Sequence, residues 1–172
     1  MGTHWIIGHY RGVPISLHLS LVLVIPLLTI GISFQNLPAL MNHFDIPHNA
    51  LSFPPILHGL ALSIGLFGSV LLHELGHAIT AMKTGGRVRQ ITLMILGGMT
   101  EIDHEDATPN QAMAVAAAGP LVNLSLGAAS LMIAGLVRSL SVDLYLFLLL
   151  FGGINLLLTL FNLIPAFPLD GG

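Results

Sequence analysis

The chain has 172 residues, of which 54% are hydrophobic and 8% charged, against roughly 25% charged in an ordinary soluble domain. With a mean hydropathy of +0.88, it reads as a membrane protein. The net charge is -3 and the five basic residues form no cluster, so nucleic acid is not an expected partner. The absence of cysteine excludes disulfides and thiolate metal ligands, leaving His, Asp and Glu for any metal.

In chain order, the N-terminus lacks a signal-peptide pattern. Arg11 is the only basic residue before the first apolar run, and no small-residue cleavage site follows promptly. Ile6 breaks a myristoylation pattern. Trp5 and Tyr10 are the kind of residues that anchor a segment at a membrane interface. A bilayer crossing needs about 20 mostly apolar residues, and four stretches qualify. The first is Ile15–Phe34, with Pro26 as a kink. A loop without Lys or Arg, Gln35–Pro55, precedes the second span at about 56–83. Val88–Leu96 is rich in β-branched and apolar residues, and Met99–Asp103 follows Gly97-Gly98. This pattern predicts a β-hairpin over about 88–103 with a Gly-Gly turn. The run Glu101, Asp103, His104, Glu105 and Asp106 reads as a solvated loop. The third span is about 111–137 and the fourth about 144–164. The expected fold is an all-α polytopic membrane protein of about four transmembrane helices, with a small β-hairpin or sheet between helices two and three. It forms one membrane-embedded core over 1–172.

The basic residues orient the spans. Arg11 precedes the first; Lys83, Arg87 and Arg89 follow the second; Arg138 alone falls on the other side. The positive-inside rule predicts cytoplasmic N- and C-termini. Whatever the orientation, the ends of spans two and four share one membrane face.

That face carries the chemistry. Span two contains His73-Glu74-Leu75-Gly76-His77, an HExxH motif. On a helix the two imidazoles lie one turn apart on the same side and reach one ion. A catalytic zinc site uses three protein ligands plus a water, and the Glu acts as general base on that water. The alternative is a pair of helix-face histidines hydrogen-bonded within a bundle. Three titratable groups within five residues at membrane depth need more compensation than that, which favours a metal.

The third ligand is expected on the same face, and Asp170 is the best candidate. Pro165, Pro168, Gly171 and Gly172 prevent a regular helix around it. Asn155, Thr159 and Asn162 form one stripe on span four, suited to interhelical hydrogen bonds; Asn162 is also placed to donate to an oxyanion. The small residues Ala114–Gly119 before Pro120 suit close helix approach. His18 reads as a helix-end or interhelical hydrogen-bonding residue. His4, His9, His43, His48, His58 and His104 read as solvated loop histidines.

Together these motifs resemble the site-2 protease family of intramembrane zinc metalloproteases. The matching pieces are His73–His77, Gly97-Gly98, Ala118-Gly119-Pro120-Leu121-Val122-Asn123, and the run from Asn162 to Gly172, which includes Leu169-Asp170-Gly171-Gly172. The lead-in Gly12–His18 looks like archaeal and bacterial members that often carry CBS domains. The resemblance implies one Zn2+ per chain held by His73, His77 and Asp170, with Glu74 as base and Asn162 in the active site. It implies hydrolysis of a membrane-embedded protein substrate, in a prokaryotic cell membrane, with the active site on the cytoplasmic side. A helical substrate must unwind to expose its carbonyls, and an extended segment is expected to add to the hairpin edge at Gly97, Gly98 and Met99. Family members normally continue past this last motif, so the chain looks like a catalytic core truncated after its third ligand.

Two rival readings use the same motif. A different membrane zinc peptidase, of the type that trims prenylated proteins, takes its third ligand from a glutamate and would keep zinc after Asp170→Ala. A non-proteolytic membrane metal-binding or transport protein would keep its function after Glu74→Gln.

Overall fold

The computed structural model describes residues 4–95 and 97–164. Two strands, β1 (His4–Tyr10) and β2 (Val13–His18), open the chain. Arg11 and Gly12 join them with φ values of 50° and 86°. Two consecutive positive φ angles are what a tight two-residue hairpin requires. The helices are α1 (Leu21–Gly31), α2 (Leu37–His43), α3 (Pro55–Lys83), α4 (Pro109–Val137) and α5 (Val142–Asn162). Strands β3 (Arg87–Met94) and β4 (Gly97–Asp103) lie between α3 and α4. Among the described residues, four helical stretches are long and apolar enough to cross a membrane: 21–43, 55–83, 109–137 and 142–162.

The first span differs from expectation at both ends. Residues 15–18 belong to β2, whose Ile15, Ser16 and Leu17 pair in parallel with Ile91, Thr92 and Leu93 of β3. Ladder bonds to β3 satisfy their backbone, so the helix starts only at Leu21. At the other end, helix continues past Phe34 through a π-helical stretch, Ile32–Asn36, into α2. Pro38 stands in the first turn of α2, where a missing N–H costs least. Leu37 and Met41 are buried in a cluster with Ala134, Tyr145 and Leu146, which fixes this extension against α4 and α5. The connecting loop is therefore shorter than the predicted Gln35–Pro55.

The sheet also exceeds the predicted hairpin. It has four strands in the order β1-β2-β3-β4, antiparallel at both ends and parallel between β2 and β3. Gly97 and Gly98 do not form the turn; they begin β4, paired with Met94 and Leu93.

Helix packing follows the small residues. A Cβ added at Gly76 would lie 2.9 Å from the Ala118 carbonyl oxygen, and one at Gly127 would lie 2.8 Å from Leu156. These glycines let α3 and α5 approach α4 at backbone distance. On α1, Thr29 Oγ1 donates to Ser63 Oγ of α3 at 3.2 Å. α4 begins with a capping box in which Thr108 and Gln111 each serve the other's backbone N–H. It runs back along α3, and α5 returns along α4, so the last turns of α3 and α5 meet the first half of α4. Thr159 Oγ1 reaches the Pro120 carbonyl at 3.4 Å. His77 Nδ1 reaches the Val115 carbonyl at 2.7 Å. Helices α3 and α5 thus both deliver polar side chains to the first half of α4.

Candidate metal centre

His73, Glu74 and His77 are buried on α3, with 4%, 6% and 7% of their surface exposed. His77 lies six residues before Lys83, the end of α3, or about 9 Å along the helix at its 1.5 Å rise per residue. The His73 and His77 Nε2 atoms are 3.1 Å apart. Two imidazole nitrogens sharing a tetrahedral zinc at about 2.0–2.1 Å stand about 3.3 Å from each other, so the pair already has the spacing of a two-ligand site.

Three features support that geometry. His77 Nδ1 donates to the Val115 carbonyl, which leaves the Nε2 lone pair directed at the shared point and fixes the ring plane. A Cβ at Gly119 would run into Nε2 of both histidines, so the wall of α4 facing them has to be glycine. A Cβ at Gly98 would likewise run into the Glu74 carboxylate. Gly98 on β4 and Gly119 on α4 thus keep space around the donors, and His73 and His77 fit two ligands of a metal ion.

Glu74 is held by a residue to which the sequence drew no attention. Thr100 Oγ1, on β4, donates to Glu74 Oε2 at 2.7 Å. The only advance signal was its place two residues after the Gly-Gly pair, on the same face of the strand as Gly98. Below this strand is a cavity of about 430 Å³ lined by Glu74, His77, Gly98, Met99, Thr100 and Val115. It separates α4 from β4, which is the last strand of the sheet.

The other predicted residues fall as follows. Asn162 is the last residue of α5 and half-buried, one turn after Thr159 and at the same end of the bundle as His77. Asn155 and Thr159 are buried and tied into α5, through Asn155 Nδ2 to the Phe151 carbonyl and Thr159 Oγ1 to the Asn155 carbonyl. Asp170 lies outside the described residues. Among the described residues, no group of three or more His, Cys, Asp or Glu could hold a metal ion. The acidic run is partly strand rather than loop: Glu101 and Asp103 belong to β4 and bind Gln90 and Arg89 across to β3.

His58 is not a solvated loop residue. It lies on α3, 6% exposed, and its Nε2 donates to Asp143 Oδ1 at 2.9 Å. The sequence signal was its position inside the predicted second span, where an exposed imidazole would meet lipid.

A bundle of four spanning-type helices with a small sheet packed against α3, and HExxH buried at that junction, defines a polytopic membrane protein with a peptidase-type motif. Residues 61–142 match peptidase family M50. The chain is 39% identical over 168 residues to the Synechocystis sp. protein sll0528, spanning 96% of this chain and 41% of that one. It is 35% identical over 162 residues to the zinc metalloprotease MJ0392 of Methanocaldococcus jannaschii, spanning 94% and 41%. The solved site-2 protease from Methanocaldococcus jannaschii superposes with a TM-score of 0.67 at 30% identity, spanning 98% of this chain and 68% of that one. The chain belongs to peptidase family M50, the site-2 protease family, and is an integral membrane protein. It spans about two fifths of the length of these curated relatives.

Proposed function

We propose that the chain is the catalytic core of an intramembrane zinc metalloprotease. In this reading His73, His77 and Asp170 hold one zinc ion, Glu74 is the general base and Asn162 faces the oxyanion. Bound there, zinc supplies Lewis acidity strong enough to bring the pKa of a water toward about 7. The observation that carries the proposal is the convergence of the two Nε2 atoms over Gly119, beside a carboxylate that Thr100 holds toward the same cavity.

The chain's own residues divide the work. Glu74 takes a proton from the attacking water and carries it to the departing amide nitrogen. The Thr100 hydroxyl fixes one carboxylate oxygen, so the other projects a set distance from the histidine pair. The Asn162 amide is at the correct end of α5 to donate to the carbonyl oxygen as charge develops there. A peptide segment extended along the outer edge of β4, past Gly97, Gly98 and Met99, makes backbone hydrogen bonds there. Its scissile carbonyl then enters the cavity lined by Glu74 and His77. A membrane helix cannot offer a carbonyl this way until it unwinds, so the expected substrates have a helix-weakening segment near this face. The distribution of Lys and Arg supports a cytoplasmic active site.

The test combines metal analysis with turnover of a membrane-embedded substrate, using the purified protein and single variants. Glu74→Gln is expected to keep zinc and lose cleavage, whereas His73→Ala and Asp170→Ala are expected to lose both. Zinc retained by Asp170→Ala would point to a glutamate-ligated peptidase, and function retained by Glu74→Gln would point to a metal-binding or transport protein.

A further inference from the structure

We propose that the β1–β2 hairpin is a lipid-interface anchor, with its Trp5-Ile6-Ile7 arm seated in the headgroup and upper acyl region of the bilayer beside α1. Trp5, Ile6 and Ile7 are 56%, 61% and 55% exposed. Successive side chains of a strand point to opposite faces, so three exposed neighbours mean that both faces of β1 are uncovered. In water, such a strand at the margin of a sheet would be an aggregation template.

Lipid is the occupant that the surroundings favour. Leu19, Val22 and Leu23, where the chain enters α1, are also exposed, so the apolar surface of the hairpin runs directly into the outer face of the first span. Between hairpin and span is a crevice of about 290 Å³, lined by Trp5, Leu17, Leu21, Val22, Ile25 and Pro26. Its lining is almost wholly apolar, and it has room for part of an acyl chain. At the hairpin tip the Arg11 guanidinium lies 5.8 Å from the centre of the Tyr10 ring. Trp and Tyr beside a basic group are residue types enriched at the membrane–water boundary.

Backbone chemistry sets the depth. β1 is the outermost strand in the sheet order, so one row of its N–H and C=O groups lacks a ladder partner among the described residues. Hydrocarbon does not tolerate unpaired backbone, whereas the hydrated headgroup region does. The arm therefore lies at the interface and not in the bilayer core. Because β2 pairs with β3 and β3 with β4, this anchor also sets the level of the sheet edge that borders the candidate site.

Trp5 is the only tryptophan of the chain, which makes the test direct. The 172-residue protein is reconstituted in phosphatidylcholine vesicles, with Trp5→Phe as the blank. Acyl chains brominated near the glycerol are compared with acyl chains brominated near the terminal methyl, and with aqueous iodide. Trp5 emission is expected to be blue-shifted from free tryptophan. Most of it should be lost to the shallow label, less to the deep label and little to iodide. Replacing Ile6 and Ile7 together with serine should move emission to the red and weaken shallow quenching. Three outcomes would each overturn the proposal. Quenching by iodide as efficient as for free tryptophan would place the arm in water. Quenching strongest with the deep label would place it in hydrocarbon. Silence toward both lipid labels and iodide would mean that protein, including a second copy of the chain, covers it.

Discussion

Helix α3 carries buried histidine at both ends, and the two ends are built differently. Near its N-terminus, His58 donates to Asp143, and the same carboxylate accepts from the backbone N–H groups of Ser52 and Phe53. The partners bond to one another directly and the result is a clasp, tying the loop before α3 to the first turn of α5. The neighbouring crevice is apolar, lined by Phe53, Leu57, Ala61 and Phe147. Near the C-terminus, His73 and His77 turn their Nε2 atoms toward one another and toward a glycine. There the second nitrogen of His77 is used to aim the first. Burial of an ionisable group at membrane depth marks both ends equally. What separates a site from a clasp is convergence of donors on space that the protein keeps clear.

Substitutions at the two ends of α3 should have different consequences. The largest effect is expected from Glu74→Gln: loss of cleavage by about 10²–10⁴-fold, the usual contribution of a positioned acid–base group, with zinc content unchanged by elemental analysis. Gly119→Ala places a methyl against both Nε2 atoms, so it should lower zinc affinity and activity together, as a metal titration would show. Thr100→Val should reduce kcat about 10–100-fold, the usual effect of removing a group that orients a metal-site residue. It should leave zinc in place and KM little changed, while Thr100→Ser restores most of kcat; equal losses for Val and Ser would refute a positioning role. At the other end, Asp143→Asn should cost about 1.5–3 kcal/mol in stability by denaturant titration, since the bonds lost involve a charged group. The activity of each molecule that remains folded should be unchanged. Smallest of all, Arg89→Ala removes a solvent-exposed pair with Asp103, for which about 0–1 kcal/mol is expected.

The parts legible in the sequence were those written in composition and short spacing. The apolar runs that became α3, α4 and α5, and the HExxH spacing, follow from helix period and bilayer thickness. The start of the first span is hard to read because Val13, Ile15, Leu17 and Leu19 run into the helix without an intervening charged residue. The Arg11-Gly12 turn marks the start of β2, and no comparable turn pair separates β2 from the helix. A strand that is satisfied by a partner more than seventy residues away in the chain leaves no local trace. The same holds for the site. His73, Glu74 and His77 announced themselves, but Thr100, Gly98 and Gly119 act through contacts across elements. Gly97 and Gly98 looked like a turn because paired glycines usually are one. Their place within β4 reflects the carboxylate packed against Gly98, which no spacing rule encodes. Histidine near a loop is ordinarily solvated, and the partner that buries His58, Asp143, lies on another helix.

In the proposed site the two Nε2 atoms and Asp170 hold a zinc ion while Glu74 does chemistry beside it. The most direct measurement is the zinc content of gently purified protein, wild type against His77→Ala and Glu74→Gln. The account predicts one zinc per wild-type chain, retained in Glu74→Gln and lost in His77→Ala. A wild-type protein without stoichiometric metal, or a His77→Ala variant that keeps it, would contradict the account.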